Sequence, residues 1–153
     1  MYYQVAESED WEGRTAGQNR ADKATLIRSG CAHGYLAYSG GKPIGWCHAA
    51  PRLEPPGLDR SEELCSPDAV AVGSIVCFVV AAPYRGQGVA ARLLDAACEG
   101  MGDNGLLIAE AYPPRETLSP ARSYHGPLQM YLKAGFEVHR EAGHWLVVRK
   151  QLR

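Results

Sequence analysis

The sequence lacks the features that mark metal-binding, membrane and nucleic-acid-binding proteins. Its five cysteines are scattered, with no Cys-x-x-Cys pair and no His/Cys cluster at the spacing of a zinc site. No apolar run approaches the roughly 20 residues of a membrane span, and Met1 to Gln4 show none of the basic and apolar regions of a signal peptide. The net charge is −1, so the protein lacks the excess of positive charge that attracts nucleic acid. We therefore expect no metal, no nucleic-acid partner, no membrane association and a reducing, cytoplasmic location.

The chain does have enough apolar sequence for one domain. It contains 153 residues, of which 46% are hydrophobic and 22% charged, as in an ordinary globular protein. Segments rich in β-branched residues alternate with amphipathic segments at helical spacing. We predict a single domain over residues 1–153 with a mixed α/β (α+β) fold.

The most informative stretch is the glycine turn from Pro83 to Ala90. It follows the apolar, β-branched segment Ser74–Val80 and leads into the amphipathic segment Val89–Met101, so we predict strand, turn and helix. Gly86 and Gly88 remove Cβ atoms where the backbone turns sharply and approaches a ligand. The unpaired N–H groups at the start of the helix then point outward at its positive end. Such a turn binds an anion, most often a phosphate, so we predict a phosphate-bearing cofactor.

The spacing of the glycines leaves few cofactor classes open. The sequence contains no Walker A pattern, which argues against a nucleoside triphosphatase. Gly86, Gly88 and Ala91 formally match the dinucleotide fingerprint, so an NAD(P)-binding protein is one alternative. However, the four residues Ala82–Arg85 separate the strand from the first glycine, and too few residues follow the turn for a full doubly wound domain.

Two motifs together resemble the GNAT acetyltransferase superfamily. Arg85-x-x-Gly88-x-Ala90 is similar to that family's acetyl-CoA pyrophosphate loop, whose pattern is Gln/Arg-x-x-Gly-x-Gly/Ala. The segment Tyr131–Phe136, which reads Tyr-Leu-Lys-Ala-Gly-Phe, resembles its last helix and the turn into its final strands. The order of elements agrees, and the hairpin Tyr35–Cys47 resembles that of a bacterial subgroup. The resemblance covers the chain from roughly Asn19 to the end.

The resemblance implies a central mixed sheet, flanked by helices, with two splayed parallel strands, here Ile75–Val80 and Leu106–Glu110. Acetyl-CoA would lie in the gap between them, and an acceptor amine would attack the thioester directly, without an acetyl-enzyme. A backbone N–H of the first strand would stabilise the thioester oxygen as it gains charge. The positions that match the family's cofactor-binding residues are Phe78, Val79, Val80, Arg85, Gly86, Gln87, Gly88, Val89 and Ala90.

The chain departs from the family pattern at two places. Ala82 stands where many members have proline, which should alter the loop entry only slightly. Some members also place a glutamate on the strand before the loop, but no Asp or Glu lies between Gly73 and Ala82. This absence motivates another hypothesis, a catalytically silent CoA-binding sensor. If the protein is an enzyme, its general base is another residue or water.

Three residues are candidates for proton transfer. Glu110 follows four apolar residues at the end of the second strand, so we expect it at the mouth of the cleft, where it would accept the amine's proton. The alternative for Glu110 is a structural ion pair with Arg115 or Arg122. Tyr131 lies where many GNAT members carry a tyrosine that protonates the departing thiolate, and Tyr124 is the second candidate. The alternative for Tyr131 is a hydroxyl satisfied by the backbone.

The acceptor is less defined than the cofactor. We predict a small-molecule or peptide amine, and the resemblance implies that the proline-rich segment Pro51–Asp68 lies near its site. Tyr112 is a further candidate for lining that pocket, and His48 ends a strand nearby. GNAT domains often dimerise, so a homodimer is a possible assembly.

Overall fold

The protein is a mixed sheet of six strands flanked by helices, in a computed structural model that describes residues 13–58, 61–116 and 124–152. The sequence also predicts a short edge strand at Tyr2–Ala6, which lies outside the described residues. The elements in chain order are α1 (Ala16–Arg28), β1 (Tyr35–Ser39), β2 (Lys42–Pro51), β3 (Val72–Val80), α2 (Val89–Asp103), β4 (Ile108–Ala111), α3 (Leu128–Lys133), β5 (Glu137–Ala142) and β6 (Trp145–Gln151).

The strand and the helix predicted around the glycine turn are both present. They end and begin at Val80 and Val89 as predicted, and their outer ends each lie two residues farther from the turn, at Val72 and Asp103. The N-terminal region forms one helix, α1, which begins with a capping box between Thr15 and Gln18 and has Gly17 in its first turn. Glycine weakens a helix least near its end, so the cap decides where this helix begins.

The strand order β1-β2-β3-β4-β6-β5 contains one parallel pair among the described strands, β3 with β4. The doubly wound parallel sheet that the dinucleotide-binding alternative requires is therefore absent from the described part of the chain. The parallel pairing runs only from Val72↔Ile108 to Ile75↔Ala111. Beyond Ile75, β3 continues to Val80, whereas the chain after β4 stays with β6, where the amide of Leu146 donates to the carbonyl oxygen of Pro113. The two strands therefore separate, as the resemblance implied.

A β-bulge lies where the strands separate. Along β2, His48 and Ala49 are consecutive, but their partners on β3 are Cys77 and Ile75, so Val76 is the extra residue. A bulge bends its strand and increases the local twist. We attribute the separation of β3 from β4 to this bend.

The two faces of the sheet are covered by different parts of the chain. On one face α2 buries the apolar side of its amphipathic sequence. Its buried residues are Leu93, Leu94, Ala97, Cys98 and Met101. On the other face Leu58 and Leu64 of the segment 52–71 are buried against β3, the residue after β4 and the hairpin of β5 and β6. These two leucines thus attach the segment to the core.

Candidate functional site

The glycine turn forms an open cradle at the head of α2. Gly86 and Gly88 have φ angles of +73° and +79°, in the left-handed region that favours glycine. A Cβ atom at either position would have no neighbour within 4 Å. Gly88 is the N-cap of α2 and provides no side-chain cap, so the first N–H groups of the helix depend on another acceptor. This arrangement suits an anion such as a phosphate.

Two exposed side chains stabilise the turn from within. The Nε atom of Arg85 donates to the carbonyl oxygen of Val80 at 2.9 Å, and the side-chain amide of Gln87 donates to that of Pro83 at 2.8 Å. Arg85 therefore places a positive charge beside the cradle while it caps β3. Because the side chain of Gln87 is used in this way, only its backbone is left to face the cradle.

The gap between β3 and β4 opens after Ile75 and follows β3 to Val80, the last strand residue before the loop that carries the cradle. Phe78 is buried and packs in the core, whereas Val79 is 59% exposed. The amide N–H of Phe78 donates to the carbonyl oxygen of Tyr124 at 2.6 Å. The chain at Tyr124 therefore occupies the edge of β3 that the separation of the strands leaves without a partner from β4.

Tyr131 and Tyr124 flank this gap in different environments. Tyr131 is fully buried, and its hydroxyl donates to the carbonyl oxygen of His125 at 2.5 Å. Burial raises the pKa of Tyr131 well above its ordinary value, so the phenol is protonated at neutral pH. Tyr124 is 48% exposed, with its ring centroid 4.4 Å from that of His125.

The expectation that Glu110 lies at the mouth of the cleft is wrong. Its side chain is fully buried on the face covered by the segment 52–71. Arg52 Nε lies 3.3 Å from one carboxylate oxygen, and Arg149 donates to the other at 2.7 Å. Glu110 therefore belongs to an internal ion-pair network. Arg115, one of the partners considered from sequence, pairs with Glu141 at 2.8 Å, and Arg122 lies outside the described residues.

The network around Glu110 fixes the segment 52–71 to the sheet. Tyr112 is also fully buried. Its hydroxyl donates to a carboxylate oxygen of Glu110 at 2.7 Å and lies 2.9 Å from the hydroxyl of Ser74. Tyr112 therefore does not line an open acceptor pocket, as the sequence had suggested. Arg149 additionally donates to both carboxylate oxygens of Asp68 at 2.8 and 2.9 Å. These hydrogen bonds lower the pKa of Asp68. The arginines were missed from sequence because they lie 39 and 58 positions from Glu110 and no local pattern links them.

A second polar group lies on β2, near the bulge. His48 is 3% exposed, and burial lowers its pKa to about 3, so the imidazole is neutral at physiological pH. Two residues before His48, the ring of Trp46 makes a cation–π contact with Lys23 of α1, whose ammonium lies 5.3 Å from the ring centroid. A buried neutral imidazole of this kind is a weak proton acceptor.

Among the residues that the structure describes, no group of three or more His, Cys, Asp or Glu side chains is arranged to hold a metal ion. All five cysteines are free. None of the helices in the described ranges has both the length and the apolar character needed to cross a lipid bilayer.

Comparison with known proteins links this geometry to one family. The model of the acetyltransferase (GNAT) family matches residues 2–136. No curated protein is similar enough in sequence to count as a match.

Solved structures show the same fold at low sequence identity. The PaiA N-acetyltransferase of Thermoplasma acidophilum, solved in complex with coenzyme A, is 15% identical, with a TM-score of 0.60, covering 89% of this chain and 71% of its own. A ribosomal-protein-alanine N-acetyltransferase from Brucella melitensis is 16% identical, with a TM-score of 0.60 and coverage of 98% and 87%. A GCN5-related N-acetyltransferase from Kribbella flavida is 18% identical, with a TM-score of 0.63 and coverage of 98% and 85%.

Proposed function

Because the chain belongs to the acetyltransferase (GNAT) family, we propose that it binds acetyl-CoA and transfers the acetyl group to an amine of a small molecule or peptide. The observation that carries the proposal is the open glycine cradle at the head of α2, next to a parallel strand pair that separates after Ile75. The cradle suits a pyrophosphate, and the gap suits an extended chain that hydrogen-bonds to exposed backbone.

The cradle holds the charged part of the co-substrate in this proposal. The backbone N–H groups from Gly86 to Ala90 bind the pyrophosphate oxygens, which the positive end of α2 also stabilises. Arg85 adds a full positive charge next to them, since its exposed guanidinium lies at the entry of the loop. Gly88 keeps the cradle open because its left-handed backbone and missing side chain let an anion approach the main chain.

In this proposal the gap between β3 and β4 holds the pantetheine arm and the thioester of acetyl-CoA. The pantetheine arm lies along the separated half of β3 and hydrogen-bonds to the backbone of Phe78, Val79 and Val80. The N–H of Phe78 points into the gap, as its bond to Tyr124 indicates. In the proposed complex it donates to the thioester oxygen and stabilises the negative charge that develops there; removing one such donor typically costs about 10²–10³ in kcat.

The proposed reaction is a direct transfer in a ternary complex. The neutral acceptor amine attacks the thioester carbon, a C–N bond forms, and the C–S bond breaks to release the thiolate. Tyr131 is our candidate for protonating the thiolate, which requires its hydroxyl to leave the carbonyl of His125. Water takes the proton of the amine in this proposal, because Glu110 is held in a buried ion pair and His48 is a weak base.

Turnover with a panel of amines tests the proposal. The purified protein is mixed with acetyl-CoA and small amines, amino acids or N-terminal peptides, and the free CoA thiol is measured. The proposal predicts amine-dependent thiol release, intersecting initial-rate lines and no acetyl group on the protein by mass spectrometry. A burst of thiol release without amine, with acetylated protein, contradicts the direct mechanism.

A catalytically silent CoA-binding sensor is the second candidate. It is favoured by one observation, the burial of Glu110 in an ion-pair network, which removes the one carboxylate expected at the cleft. Saturable acetyl-CoA binding without thiol release for any amine, in the wild type and in Tyr131→Phe alike, would support the sensor over the enzyme.

A further inference from the structure

We propose that residues 124–126 form a strap that closes the thioester position in the unliganded protein, and that Tyr131 is the positioning residue that holds this strap in place. Acetyl-CoA then binds by displacing the strap from β3. The inference rests on the proposed function, because it concerns the same gap between β3 and β4, but it adds a step that the proposed function does not require.

The first observation is the partner of the Phe78 amide. This N–H is the group proposed to hold the thioester oxygen, yet it already donates to the carbonyl oxygen of Tyr124 at 2.6 Å. A carbonyl oxygen of the strap thus takes the place that a carbonyl oxygen of the co-substrate would take. Since one N–H cannot make two full hydrogen bonds of this geometry, the two oxygens compete.

The second observation is the anchor of the strap. The hydroxyl of Tyr131 donates to the next carbonyl oxygen, that of His125, at 2.5 Å, and the tyrosine is fully buried. Water cannot easily replace a hydrogen bond in such a position, so the bond favours the closed state. The ring of Tyr131 is itself fixed by Phe136, at a centroid distance of 5.3 Å and nearly edge-to-face.

Aromatic contacts hold the strap from the other side. The buried ring of His125 lies between Tyr124 and Trp145, with centroid distances of 4.4 and 4.5 Å. Burial lowers the pKa of His125 to about 4, so this contact is between neutral rings at physiological pH. The strap is therefore held by the hydrogen-bonded carbonyl oxygens of Tyr124 and His125 and by the packed ring of His125.

Gly126 ends the strap with a backbone suited to a hinge. Its φ angle is +78°, and a Cβ atom there would lie 2.6 Å from the terminal methyl of Met130. Pro127 then caps α3, so the strap connects directly to the first turn of the helix that carries Tyr131. A rotation at Gly126 can lift the Tyr124 carbonyl from Phe78 and leave α3 in place.

The arrangement predicts an unusual effect of removing a hydroxyl group. If the closed state is favoured, the apparent Kd for acetyl-CoA is higher than the intrinsic Kd by the inverse of the open fraction. Tyr131→Phe keeps the buried ring and removes only the anchor, so it should open the strap and tighten acetyl-CoA binding about fivefold. Removing a hydroxyl that merely stabilised the fold would leave the affinity unchanged, and removing one that bound the ligand would weaken it.

Calorimetric titration of acetyl-CoA into the wild type, Tyr131→Phe and Tyr112→Phe tests the strap. Tyr112→Phe is the matched control, because it removes another buried tyrosine hydroxyl whose partners, Ser74 and Glu110, lie outside the strap. We expect a lower Kd for Tyr131→Phe alone, together with faster hydrogen exchange at the Phe78 amide in the unliganded variant.

Two results overturn the inference in distinguishable ways. If all three proteins bind acetyl-CoA and Tyr131→Phe binds equally or more weakly than the wild type, the strap is wrong while the proposed co-substrate stands. If none of the three binds acetyl-CoA, the proposed function fails, and the inference fails with it.

Discussion

Glu110 and Arg52 meet inside the protein: Arg52 Nε lies 3.3 Å from a carboxylate oxygen of Glu110, and both side chains are fully buried. Arg149 donates to the other oxygen at 2.7 Å and also forms an ion pair with Asp68. A carboxylate on β4 is thereby joined to the end of β2, to β6 and to the segment 52–71. Breaking a buried ion pair by removing one charge leaves the other charges uncompensated.

Glu110→Gln should therefore reduce stability strongly. The expected loss in the free energy of unfolding is about 3–5 kcal/mol, measured by urea denaturation at pH 7. Glu141→Gln is the matched control, because Glu141 makes a similar pair with Arg115 at 2.8 Å on the surface, where the two side chains are 47% and 64% exposed. It should cost about 0–1 kcal/mol. Equal losses in the two variants would contradict a structural role for Glu110.

The glycine cradle gives a prediction about affinity. Gly88→Ala places a side chain at a φ of +79° and into the space proposed for the pyrophosphate, so it should weaken acetyl-CoA binding about tenfold. Gly105→Ala is its control, since Gly105 has a φ of +83° and an equally open surrounding just beyond the other end of α2. Both variants should lose about 1–2 kcal/mol of stability. An equal loss of affinity in both variants would show that the cradle is not part of the acetyl-CoA site.

Burial of His48 predicts a pH dependence of stability. Its folded pKa, about 3, lies below the ordinary value of 6.5, so the unfolded chain binds a proton first as the pH falls. The stabilisation is full above pH 6.5 and is lost progressively toward pH 3. Between pH 7 and pH 5 this one group should lower the free energy of unfolding by about 2 kcal/mol.

The check is a pair of urea titrations, at pH 7 and at pH 5, for the wild type and His48→Gln. The variant should lose about 2 kcal/mol less than the wild type over this interval, whatever its stability at pH 7. His139→Gln is the control, because the His139 side chain is exposed on β5. Parallel pH dependence in the wild type and His48→Gln would show that His48 does not carry this effect.

The parts of the site that depend on local sequence could be predicted. The glycine turn, the strand before it and the helix after it follow from residue types within one stretch of chain, and the structure confirms all three. The apolar stripe of α2 follows in the same way from its periodicity. The separation of β3 from β4 came from resemblance, and the bulge at Val76, to which we attribute it, left no readable signal in the sequence.

The parts that depend on distant contacts could not be predicted. Glu110 ends an apolar strand, which suggested a cleft, but its surroundings are set by Arg52 and Arg149, which the fold alone brings to it. Tyr131 was correctly placed on the last helix, but the direction of its hydroxyl depends on the path of the chain at His125. Its role in proton transfer stays a prediction.

The most direct measurement is a calorimetric titration of the wild-type protein with acetyl-CoA, beside NADH and beside a Gly86→Glu variant. The account predicts saturable binding of one acetyl-CoA per chain, no binding of NADH, and loss of acetyl-CoA binding when a carboxylate is placed at the cradle. An absence of acetyl-CoA binding by the wild type, or undiminished binding by Gly86→Glu, would contradict it.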